Sequence, residues 1–127
     1  MTSILPIQIQ VGDLRLIGEL NELKCARALA CLLPLTAKFQ VWGDELHFKA
    51  MLGDDTSAHP GKSVSIGDIG FWSEGITLCI FFGPTPTSSG EEPVSAVPVT
   101  IVGRVNSFEK LRTCKEAGEI ILRAREV

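Results

Sequence analysis

Two stretches near the N-terminus alternate apolar and polar residues with a period of two, and only two residues separate them. Leu5, Ile7, Ile9 and Val11 alternate with Pro6, Gln8 and Gln10. Leu14, Leu16, Gly18 and Leu20 alternate with Arg15, Ile17 and Glu19. The link, Gly12-Asp13, is a two-residue hairpin signal, because glycine accepts the positive φ that opens a type II′ turn. Such a turn pairs Val11 with Leu14 and Ile9 with Leu16, so the apolar residues share one face. A slip of one residue would turn half of them to the other side.

A different pattern follows. Asn21 is a good helix N-cap, and Glu22 suits the positive end of a helix. Residues 22–33, rich in Ala and Leu, carry charge only at Glu22, Lys24 and Arg27. A helix this apolar caps or plugs a core. Pro34 ends it by pushing the preceding residue out of the helical region.

Residues 37–50 predict a second hairpin about Gly43-Asp44. Mirror symmetry about that turn pairs Val41 with Leu46, Phe39 with Phe48 and Ala37 with Ala50 on the core face. The opposite face then carries Trp42 across from Glu45, Gln40 across from His47, and Lys38 across from Lys49. The lysine pair is unfavourable and favours splaying of the strands there. Asp68–Trp72, Ile76–Phe82, Thr100–Asn106 and Glu119–Arg125 also read as strands, and Ser107 as the start of a short helix. Residues 51–66 and 84–93 read as loops, the second rich in proline and small polar residues. Strands and helices do not alternate regularly. The expectation is therefore one mostly β domain over residues 1–127: a closed antiparallel barrel of about eight strands capped by two helices.

Composition narrows the function classes. The chain has 127 residues, 45% of them hydrophobic, enough for a real core. No apolar run approaches the ~20 residues of a membrane helix, and the first residues lack the basic start of a secretory signal. The net charge of −3 comes without a basic block, which argues against nucleic-acid binding. The expected setting is cytoplasmic, away from membranes. Cys25, Cys31, Cys79 and Cys114 form no C-x-x-C pair and are expected to be buried free thiols. His59 with Asp54 and Asp55 has no diagnostic ligand spacing, and Gly61-Lys62-Ser63 lacks the earlier glycine of a phosphate loop. No metal and no cofactor is expected. A homo-oligomer is compatible with the sequence but not indicated by it.

The order of elements resembles that of the cyclophilins. Ile101-Val102-Gly103-Arg104-Val105, followed by Phe108 and Leu111, is similar to a cyclophilin strand-and-helix segment. Phe81-Phe82 is similar to the Phe-Phe pair whose second ring lines the cyclophilin proline pocket. Trp42-Gly43-Asp44-Glu45, Gly67-Asp68-Ile69-Gly70-Phe71-Trp72, and Phe81-Phe82-Gly83 followed by Thr85-Pro86 resemble a compact prokaryotic cyclophilin-like family of unknown function. The departure concerns chemistry. Cyclophilins place an arginine on the strand after the first helix, where it hydrogen-bonds the substrate amide. Here Phe39-Gln40-Val41-Trp42 fills that segment, and no arginine occurs between Arg27 and Arg104.

The candidate ligand-binding residues are Gln40, Trp42, Glu45, His47, Trp72 and Phe82. A carboxylate beside an imidazole suits acid–base work; the same pattern also fits a turn-side tryptophan covering its neighbours, with a solvated Glu and His. No catalytic residue is assigned. The leading reading is a non-isomerase binding module with an aromatic groove for a small ligand or an extended peptide. The alternative is a weak prolyl isomerase, or another enzyme using Glu45 and His47.

Overall fold

The computed structural model describes residues 5–53 and 59–125; the loop acids Asp54 and Asp55 lie outside them. Strands β1 (Leu5–Val11) and β2 (Leu14–Leu20) form the expected hairpin. Val11 lies opposite Leu14 and Ile9 opposite Leu16, and Gly12 takes a φ of +60° at the turn. Ile7, Ile9, Val11, Leu16 and Leu20 are all buried, so the register is the one that puts the apolar set on one face.

Helix α1 spans Lys24–Leu32 and buries Cys25, Ala26 and Leu29. It starts later than an Asn21 cap implies, with Leu23 at the cap position. The Asn21 side chain works two residues upstream: its Oδ1 accepts from the Leu23 N–H at 3.1 Å, and its amide donates to the Ile101 carbonyl at 2.7 Å. One asparagine thus turns the chain into the helix and ties that corner to a distant strand. Leu32 and Cys31 stay exposed, so the apolar surface of the helix is not all covered.

Strands β3 (Leu35–Lys38), β4 (Gln40–Val41) and β5 (Glu45–Lys49) follow. Near the turn the second hairpin has the register read from the sequence, with Val41 opposite Leu46 and Gln40 opposite His47. Farther out it departs. Lys38 faces Glu119 and Ala37 faces Ile120 across β10 (Glu119–Ala124), rather than Lys49 and Ala50. The like-charged pair is thereby exchanged for an opposite-charged one. Phe39, Leu46, Phe48 and Ala50 are buried as expected. Val41 is not: it remains 36% exposed, because β4 is a two-residue strand at the sheet edge.

The remaining strands are β6 (Gly61–Ser63), β7 (Asp68–Trp72), β8 (Thr77–Phe81) and β9 (Val94–Val105), and a 3-10 helix covers Phe108–Cys114. The sheet order is β3-β10-β1-β2-β9-β7-β8-β5-β4, all neighbours antiparallel, with β6 pairing β9 off this path. The two ends, β3 and β4, are separated along the chain by Phe39 alone, yet no ladder joins them. Among the described residues the sheet is therefore open and has ten strands, where the sequence suggests a closed barrel of about eight. The cysteines form no disulfide, but only Cys25 and Cys79 are buried; Cys31 is exposed and Cys114 half-buried. No helix among the described residues is long and apolar enough to cross a membrane.

Strand β9 has two roles. Its C-terminal part pairs with β7 and β2. Its N-terminal part pairs with β6 and crosses the outer face of the sheet. Gly70 permits that crossing, since a Cβ there would come within 2.9 Å of the Val99 side chain. The result is two apolar clusters. The main core lies on the inner face, and a smaller cluster of Val64, Cys79, Phe81 and Val99 lies on the outer face.

Candidate functional site

Alternation along β5, β7 and β8 divides their side chains between the two clusters. Leu46, Phe48, Ile69, Phe71, Leu78 and Ile80 belong to the main core. Glu45, His47, Trp72, Thr77 and Cys79 turn to the other face and line a cavity of 430 Å³. Trp42 and Trp72 supply its aromatic surface, Gln40, Glu45 and His47 its polar groups, and Ala96 and Val97 the side contributed by β9. That volume lies in the lower part of the range of small-molecule sites, about 300–1,000 Å³.

The cavity brings together five of the six candidates, Gln40, Trp42, Glu45, His47 and Trp72. Phe82 is elsewhere. It continues the inward parity of Leu78 and Ile80 and is buried in the main core, with the Lys115 ammonium 5.8 Å from its ring centre. Phe81, the first ring of the pair, takes the outward position and belongs to the smaller cluster.

The outward row is also less open than the sequence implies, because β9 and Val64 cover part of this face. Glu45 is 6% exposed. Its Oε2 lies 3.5 Å from Nδ1 of His47, and that nitrogen is buried without a hydrogen bond. Burial pushes the Glu45 carboxyl up from 4.5 to about 7, and the hydrogen bond from the Cys79 thiol only partly opposes this. Near neutrality Glu45 therefore serves as donor or acceptor. Burial, and then the charge of Lys49, hold His47 below its ordinary value, which favours neutral imidazole. Burial and the neighbouring Glu45 push the Cys79 thiol up, so it is not a nucleophile.

Local structure fixes these groups. A Cβ on Gly75 would collide with the Trp72 ring, so the indole lies directly on a bare backbone. The Gly75 carbonyl accepts from Lys49 Nζ and from Thr77 Oγ1, each at 2.8 Å. At the other end, Gly43 has a φ of +62°. The turn is held by Asp44, whose carboxylate accepts from Arg112 at 2.9 Å and Lys115 at 2.7 Å, while its N–H donates to the Pro84 carbonyl at 3.0 Å.

Lys38, Lys49, Thr77 and Cys79 also line the cavity but are not singled out by sequence. Parity along 76–82 could have found Thr77 and Cys79, since it separates them from Leu78 and Ile80. Among the described residues no arginine lines the cavity. No group of three or more His, Cys, Asp or Glu among the described residues could hold a metal ion.

Comparison with known proteins agrees with this architecture. The family model described as "Cyclophilin-like" matches residues 5–123. The solution structure of the hypothetical protein AF2241 from Archaeoglobus fulgidus is similar, with a TM-score of 0.80, 26% sequence identity and coverage of 98% of each chain. No curated protein matches the chain.

Proposed function

The chain belongs to the cyclophilin-like family, and on that premise we propose that it is a binding module without prolyl isomerase activity, whose outer-face cavity takes a small ligand. One observation carries this reading: a nearly fully buried glutamate sits in a 430 Å³ cavity beside both tryptophans of the chain. Burying a carboxylate with no cation beside it opposes folding, so packing alone does not account for Glu45. The cavity is concave and partly walled, which favours a compact ligand over an extended peptide. With no arginine among the described residues that line it, the cavity offers no guanidinium to hold a twisted prolyl amide. Cytoplasmic residence is part of the same proposal, supported by four cysteines without a disulfide.

The chain has two tryptophans and no tyrosine, so its two indole N–H resonances report on this cavity. A small-fragment screen read on those resonances should return ligands that shift both. If no fragment moves either indole, the binding reading fails. A protease-coupled X-Pro peptide assay should show no acceleration at micromolar protein; turnover like that of a cyclophilin would reject the non-isomerase part. An enzymatic reading is favoured by the 3.5 Å approach of Glu45 to His47. It predicts that bound fragments are recovered chemically altered, whereas a binding module returns them unchanged.

A further inference from the structure

Given the reading above, on which this step rests, we infer that the cavity selects a small organic cation: a protonated amine on an apolar body, with its N–H groups on Glu45 and His47 and its body against Trp42 and Trp72. Four observations lead there.

The first is the inventory of unsatisfied groups. Glu45 Oε2 and His47 Nδ1 are 3.5 Å apart, and the imidazole nitrogen is buried with no hydrogen-bond partner. An ionised carboxylate and a neutral imidazole nitrogen both accept, and an ammonium placed between them supplies the missing donors. Two neighbouring donors are already in use: Thr77 Oγ1 bonds the Gly75 carbonyl and the Cys79 thiol bonds Glu45.

The second is charge. Among the described residues, Glu45 is the only acid lining the cavity, and His47 is the only group within ion-pair distance of it. The groups around it are His47 and Lys49 on β5, Cys79 on β8 and Lys38 on β3; Gln40, Trp42, Trp72, Ala96 and Val97 carry no charge. The two lysines act at the rim. Lys49 Nζ is bound to the Gly75 carbonyl at 2.8 Å, and Lys38 lies opposite Glu119 across the sheet. Both are exposed, so water screens them, while Glu45 acts in a drier place.

The third is the pair of indoles, since tryptophan faces attract cations more than other aromatic rings do. The fourth is the condition of Glu45, which burial holds half-protonated near neutrality. A ligand cation would supply a counter-charge directly beside Glu45, and its binding would release the Glu45 proton.

The test uses three probes of matched shape on the intact protein: benzylammonium, benzyl alcohol and benzoate, titrated at pH 8 against the indole resonances. Benzylammonium should bind at least about tenfold more tightly than the other two. Its affinity should fall by up to about tenfold per pH unit below pH ~7, as Glu45 takes up its proton and His47 then becomes cationic. Glu45→Gln should bring benzylammonium down to the level of benzyl alcohol. The pH series on the unaltered protein decides the question even if that variant fails to fold. Equal affinity for all three probes, or a preference for benzoate that Lys38→Met and Lys49→Met remove, would overturn the cation inference while leaving a small-ligand site. Silence of both indoles to every probe would overturn the inference, and the broader fragment screen then decides whether the site itself stands.

Discussion

The two faces of the β5–β8–β7 sheet are built from alternate residues of the same strands, yet they differ in kind. The inner face is continuously apolar: Leu46, Phe48, Ile69, Leu78 and Ile80 meet other hydrocarbon side chains and are at most 3% exposed. The outer face is half packed and half hollow. Phe81 and Cys79 meet Val99 and Val64, while Glu45, His47 and Trp72 border open volume. Hydrophobic burial explains the first set completely. It explains the second only as far as the cover from β9 reaches. Titratable groups that are buried without being packed by apolar neighbours mark the point where stability stops accounting for the sequence.

The largest effect should come from the inner face. Leu46 is fully buried in the main core, and Leu46→Ala should cost ~2–5 kcal/mol by lost transfer energy and the cavity left behind. Denaturant unfolding would measure it. A loss below ~1 kcal/mol would erase the contrast between the faces. Its strand neighbour one residue earlier, Glu45, should behave in the opposite way.

Glu45 keeps its proton more tightly when folded, at about 7 against 4.5. Between those values the unfolded chain binds fewer protons than the folded one, so stability falls as pH rises through this window and levels off above it. Lowering the pH from 8 to 5.5 should therefore stabilise the protein through Glu45 by about 2 kcal/mol. His47, held below its ordinary value, works the other way under acid conditions. The comparison is thus a difference: unfolding of the unaltered chain and of Glu45→Gln at both pH values, with His47 common to both. The pH gain should be about 2 kcal/mol smaller in the variant. Equal gains would mean that Glu45 is solvated, and the outer face would lose its distinction.

Sequence reveals these faces unequally, for physical reasons. The first hairpin is legible because its turn and its period-two pattern agree. The second is legible near Gly43-Asp44, where local pairing decides, and not at Lys38, whose partner comes from β10, some eighty residues away. The row of Trp42, Glu45 and His47 follows from parity alone. Its cover does not, because the first half of β9 contains Pro98 and follows the loop read over 84–93, so that the strand is read only from Thr100. With that half strand unseen, the outer face looks like solvent and Glu45 like a surface acid. Phe82 fails differently. The resemblance assigns it to a pocket, whereas the alternation of Leu78, Ile80 and Phe82 assigns it to the core, and alternation prevails. An open sheet whose ends are joined through Phe39 cannot be told from a closed barrel by pattern, since both bury the same residues.

The smallest effect expected lies where the two faces meet, at the tip of the second hairpin. Asp44 accepts from Arg112 at 2.9 Å and from Lys115 at 2.7 Å, which ties the turn to the 3-10 helix. The side chain of Arg112 is 58% exposed and that of Lys115 35%, so water screens both pairs and their worth is small. Asp44→Asn should cost about 1 kcal/mol or less, and added salt should shrink the difference between variant and parent. The backbone bonds of the turn, from the Asp44 N–H to Pro84 and from the Phe82 N–H to the Asp44 carbonyl, do not involve the substituted group. The hairpin should therefore keep its register. Its effect should be local: the indole resonance of Trp42, two residues from Asp44, should shift more than that of Trp72, which rests on Gly75. A loss as large as that of Leu46→Ala would place the tip energetically with the inner core. Equal shifts of both indoles would show that the turn sets the whole cavity rather than one wall of it.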